Sequence, residues 1–172
     1  LGGRVALHAA LERPDAVRGL VLIGATAGID DPAERAARRS ADEALAARIE
    51  QIGVDAFLDE WLANPLFAGL TAEAAQRDDR LRNSVRGLAS SLRHTGTGTQ
   101  EPLWNRLEEI DVPALIIAGE NDPKFRVLGE RLSTRLRNAT IAVVPDAGHT
   151  VHLEQPAAAV DVIAAWWRSH FD

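Results

Sequence analysis

Apolar positions fall into two periods along this chain. Ala114-Leu115-Ile116-Ile117-Ala118 and Ala139-Thr140-Ile141-Ala142-Val143-Val144 are short apolar runs rich in β-branched residues, which predicts buried strands. Val17 to Ile23 reads as a third strand. Elsewhere the spacing is helical. Val5, Leu7, Ala10 and Leu11 predict a helix from Gly2 to Glu12 that Pro14 ends. Asp30, Asp31 and Pro32 open a long helical pattern through Ile52, with acids where the helix dipole favours them. Phe57, Leu58, Trp61 and Leu62 mark a second helix, Val54 to Ala63, which Asn64-Pro65 stops. Thr71-Ala72-Glu73-Ala74 offers a cap-like start to a helix reaching about Asn83, and another runs from Val85 to His94. Thr95 to Gln100 is a loop by composition, and Pro102 to Ile110 reads as a short helix. Phe125 to Leu136 and Gln155 to Phe171 are amphipathic and complete the set.

This order predicts an α/β fold and divides the chain in three. Residues 1–30 and 111–172 carry strands and helices together, while residues 31–110 are helical without a strand. Such a middle segment fits a helical lid inserted between two strands of a sheet.

Composition narrows the function more than the fold. A chain of 172 residues, 46% hydrophobic and 26% charged, suits one soluble globular domain with a sizeable core. The net charge of -6 argues against a sequence-independent grip on nucleic acid or anionic lipid. Without cysteine there is no disulfide, no thiolate metal site and no cysteine nucleophile. The five histidines show no metal-ligand spacing, and the loop around Gly98 lacks the lysine and the fingerprint of a nucleotide-binding loop. No cofactor and no metal are therefore expected. No apolar run approaches a membrane span and no signal peptide is present, so a cytoplasmic location without membrane contact is expected. Every basic residue except Lys124 is arginine, the side chain suited to planar carboxylates. The chain has no methionine, even at position 1, and reads as part of a longer one.

The candidate chemistry lies in two loops. Asp122 follows the run at 114–118, and His149, in Gly148-His149, follows the run at 139–144. The carboxyl ends of strands are where open α/β sheets bind ligands. An acid followed by a histidine is the second half of the Ser, Asp, His order of α/β-hydrolases. Each residue also has a plainer reading. Asp122 could cap the helix after it, and His149 could be an ordinary hydrogen-bonded loop histidine; the two roles of Asp122 can coexist.

Leu1-Gly2-Gly3-Arg4, Gly119-Glu120-Asn121-Asp122-Pro123-Lys124-Phe125-Arg126, Gly148-His149 and His152-Leu153-Glu154-Gln155-Pro156 together resemble an α/β-hydrolase. More narrowly, the chain is similar over almost its whole length to the menaquinone-pathway SHCHC synthases, the MenH family. That resemblance implies parallel strands flanked by helices, with a helical lid. It also implies a Ser-Asp-His triad that eliminates pyruvate from the cyclohexene carboxylate SEPHCHC. Asp122 would be the triad acid and His149 its base. The nucleophile would fall just before Leu1, as if the elbow turn were cut after its serine, and the Leu1 backbone would supply an oxyanion donor. Arg4, Arg38 and Arg82 would bind a small anionic substrate, with Trp61 and Phe67 as aromatic contacts. Arg4 and Arg38 could equally be surface arginines, and Trp61 and Phe67 lid core. The partner expected is the N-terminal segment of the same fold. A carboxylic-ester or carbon-carbon bond hydrolase is the alternative activity. The third possibility is an inactive truncated chain or one half of a two-piece protein.

Overall fold

Of the strands, the most apolar takes the centre of the sheet. The computed structural model describes all 172 residues, and the elements in chain order are α1 (Gly2–Glu12), β1 (Leu20–Ile23), α2 (Pro32–Leu62), α3 (Arg77–Leu81), α4 (Val85–Thr95), β2 (Ala114–Gly119), α5 (Pro123–Arg135), β3 (Ala139–Val144), α6 (Val151–Glu154) and α7 (Pro156–Phe171). They form two units: an α/β unit of Gly2–Ala27 with Leu103–Asp172, and a helical unit spanning Gly28–Pro102.

In the α/β unit the strand order is β1-β2-β3, all parallel, with Leu22 opposite Ile116 and Ile116 opposite Ile141. Successive β2 side chains point to opposite faces. Ala114 and Ile116 therefore join Leu7 and Ala10 of α1 and Leu132 of α5 in one core. Leu115 and Ile117 join Val151, Ala159 and Trp166 in a second core under α6 and α7. Helices cover both faces, so all six β2 residues are buried and none needs to be polar. Each βα connection delivers its loop to the carboxyl end of the sheet, and this is what brings Asp122 and His149 to one edge.

The helical unit is built on α2, which breaks at Gly53 (φ 80°) where the sequence predicts two helices to meet. Asp31 caps α2 by accepting the Glu34 N–H at 2.8 Å. Ser84 caps α4 through the Gly87 N–H. Arg93 of α4 grips Glu43 and Glu50 of α2 with bonds of 2.6 to 3.1 Å. Phe57 stacks on Trp61, which meets Phe67 at a tilt of 48°, with ring centroids 5.8 and 5.6 Å apart.

Five expectations need correction. β1 starts at Leu20, because Pro14–Ala16 forms a 3-10 turn that the Val17 N–H closes, and the ladder begins only with Leu20 N–H to the Pro113 carbonyl. The helix expected from Thr71 to Asn83 shrinks to α3. The Thr71 hydroxyl accepts the Ala74 N–H as a cap should, but Gln76 adopts a left-handed conformation (φ 49°) and interrupts the run. Pro102 to Ile110 is a chain of three-residue turns, with an α-helix nowhere in it and a 3-10 segment only at Leu107–Glu109. That spacing places Trp104, Leu107 and Ile110 on one side, inside the α/β core, so the helical unit ends at Pro102 and not near residue 110. The last helix begins at Pro156, and a separate turn, α6, precedes it.

No helix is long and apolar enough to cross a membrane.

Candidate active site

The strand ends must come close before the loops can meet. A Cβ on Gly119, the last residue of β2, would run into the carbonyl oxygens of Gly148 and Ala147. Only glycine allows that approach. It lets the Asn121 N–H reach the Ala147 carbonyl at 2.8 Å, and the Asp146 N–H reaches Glu120 Oε2 at 3.2 Å. The acid loop and the histidine loop are thus bonded to each other through backbone amides, without using the side chains of Asp122 or His149.

The two carboxylate oxygens of Asp122 serve different partners. Oδ1 accepts the Phe125 N–H at 3.2 Å and caps α5, while Oδ2 lies 2.8 Å from Nδ1 of His149. The Asp122 side chain is 7% exposed and that of His149 is 21% exposed. A buried carboxylate that accepts from Nδ1–H holds the imidazole with Nε2 as the free base nitrogen, the arrangement that lets a histidine take a hydroxyl proton. The Phe125 ring lies 4.3 Å from the imidazole, tilted by 51°. Gly24, at the end of β1, has φ +54°, and a Cβ there would sit 2.9 Å from Cε1 of His149. The imidazole is therefore confined between α5 and the β1 loop.

One residue at this site was not singled out from the sequence. The Glu154 carboxylate accepts the Gly148 N–H at 2.6 Å, the Thr150 N–H at 2.9 Å and the Thr150 hydroxyl at 2.8 Å. Burial works to raise its pKa, but these bonds and the nearby His149 charge outweigh it and hold the carboxyl below its ordinary 4.5. The available signal was Thr150-x-x-x-Glu154, one residue longer than a capping box.

The other predicted residues are scattered over both units. Arg4 is no surface arginine: it lies buried in α1, only 9% exposed. Arg38 donates its Nε–H to Asp42 at 2.8 Å and keeps 46% of its side chain exposed. Arg82 follows α3, pairs with Asp79 at 3.1 Å and is 83% exposed. Trp61 is half-buried and Phe67 buried in the helical unit. Trp61, with Phe57, Leu58 and Arg80, lines an apolar cavity of about 210 Å³. Leu1 is exposed. His152 is exposed as well.

The pattern defining the alpha/beta hydrolase family matches residues 1–162. A Bacillus subtilis protein named provisionally as 2-succinyl-6-hydroxy-2,4-cyclohexadiene-1-carboxylate synthase is 44% identical over 161 residues, 91% of this chain and 59% of that protein. The synthase of that name from Klebsiella pneumoniae subsp. pneumoniae is 35% identical over 168 residues, 95% of this chain and 64% of the relative. The solved structure of MenH from S. aureus superposes with a TM-score of 0.94 at 32% identity, covering 99% of this chain and 66% of that one. The chain thus spans about three fifths to two thirds of the length of the relatives it matches.

Proposed function

This chain belongs to the alpha/beta hydrolase family, and from that premise we propose that Asp122 and His149 are the acid and base of a synthase that eliminates pyruvate from SEPHCHC to give 2-succinyl-6-hydroxy-2,4-cyclohexadiene-1-carboxylate. The observation that carries the reading is the 2.8 Å contact between His149 Nδ1 and a buried carboxylate. In this reading His149 Nε2 takes the proton of a serine placed directly before Leu1, and the resulting alkoxide starts the elimination. The Leu1 N–H would be one donor to the developing oxyanion. The names of the relatives support the synthase over other members of the fold, since fold alone does not select a reaction.

Arg4 and Arg38 would each bind a substrate carboxylate, with Trp61 and Phe67 as aromatic contacts. Arg82 remains the weakest of the three arginines, because its side chain is 83% exposed. In a form extended at its N-terminus through the serine and the oxyanion loop, Arg4→Ala and Arg38→Ala should each lower kcat/KM for pyruvate release by about 1 to 3 kcal/mol, the range for losing a charged hydrogen bond. The extended protein should release pyruvate from SEPHCHC. Efficient cleavage of aryl esters with no action on SEPHCHC would favour the hydrolase instead.

A further inference from the structure

His149 sits on a loop that must keep its ring within hydrogen-bond distance of Asp122, and Asp122 holds only one side of that arrangement. Backbone amides on both sides of the histidine, Gly148 N–H and Thr150 N–H, converge on a single carboxylate, that of Glu154. The Thr150 hydroxyl adds a third bond to the same group. Oε2 serves Gly148 and Oε1 serves Thr150, so each oxygen has its own donors.

We propose that Glu154 is the positioning residue of the base: its carboxylate clamps the loop at residues 148 and 150 and so keeps Nδ1 of His149 on Asp122. The proposal rests on reading His149 as the base, and it adds a residue that acts only through His149. Glu154 holds the backbone of the loop and leaves the proton transfer to the imidazole.

The chemistry of the clamp requires two acceptor oxygens. Glutamine has nearly the same shape, but in either orientation its NH2 would face an N–H or O–H donor, and one side of the loop would lose its anchor. Alanine would remove both sides. Valine at Thr150 keeps both amide bonds and removes only the hydroxyl. The clamp also begins α6, which is a single turn, so the loop has little regular structure of its own to hold it.

The test is proton NMR of the 172-residue chain, following the proton between His149 Nδ1 and Asp122 together with the Gly148 and Thr150 amides. In the unsubstituted protein the Nδ1 proton gives a resolved low-field signal. Glu154→Gln should broaden that signal beyond detection and move the amide on the side that loses its acceptor, Gly148 or Thr150, upfield, while the thermal unfolding transition stays cooperative. Thr150→Val should keep the signal with faster exchange, so a graded response separates a clamp from simple unfolding. If Glu154→Gln leaves the Nδ1 signal and its exchange rate unchanged, the proposal is overturned while the Asp122–His149 pair stands. If the unsubstituted protein shows no such proton but its amides are well dispersed, the reading of His149 fails and takes the proposal with it.

Discussion

Asp122→Asn should leave the fold nearly intact and lower kcat for pyruvate release by about 10⁴-fold in the serine-bearing form, the size seen when a triad histidine is held in the wrong tautomer. Asp122 makes two bonds that an asparagine cannot both reproduce without changing the imidazole tautomer. Asparagine is as good an N-cap as aspartate, so its oxygen can still accept the Phe125 N–H. Its NH2 then faces His149 Nδ1, where Oδ2 lies at 2.8 Å, and donates to it. The imidazole must carry its proton on Nε2, the nitrogen needed free. Turning the amide round would restore His149 but set NH2 against the Phe125 N–H and cost the cap. Stability should therefore change by no more than about 1 kcal/mol while turnover collapses. Parallel urea titration and steady-state kinetics separate the two effects. A loss of less than tenfold in kcat would show that the pair is not the acid and base of the reaction.

The second large effect lies in the sheet. Ile117→Ala should cost about 2 to 5 kcal/mol in urea unfolding, the range for emptying a large aliphatic site in a close-packed interior. Ile117 is 0% exposed and shares its core with Leu115, Val144 and Trp166. The same truncation at Val143, 43% exposed on β3, removes little buried surface and should cost under about 1 kcal/mol. The Ile117 carbonyl also accepts the Gly24 N–H at 3.0 Å, and Gly24 abuts His149. A cavity here should consequently loosen the site as well as the fold. Equal losses at the two positions would contradict the assignment of β2 as the central, doubly covered strand.

Residues whose conformation follows from local chemistry were legible in the sequence. β2 is a continuous apolar run because both of its faces are covered, whereas β3, expected as a buried strand, lies at the end of the strand order, buries only Val144 and exposes Thr140 and Val143. Asp122 and His149 were legible because each follows such a run in a loop containing glycine. The misreadings share a physical origin in local cues overruled by tertiary packing or by one backbone angle. Thr71 makes its cap, yet Gln76 turns left-handed and ends the run. Trp104, Leu107 and Ile110 recur every third residue, which fits a helix loosely and a 3-10 turn better, and burial in the α/β core settled the choice. Glu154 was overlooked because its work depends on the loop folding back over it. The burial of Arg4 was equally invisible, since the alanine-rich pattern of α1 gives no sign of which face is covered.

The central claim is that Asp122 orients His149 as a base, and nitrogen-15 NMR of the imidazole in the neutral ring tests it most directly. The account predicts the Nδ1–H tautomer, with Nε2 unprotonated and the Nδ1 proton coupled to the 2.8 Å contact with Asp122. A neutral ring carrying its proton on Nε2 would contradict it.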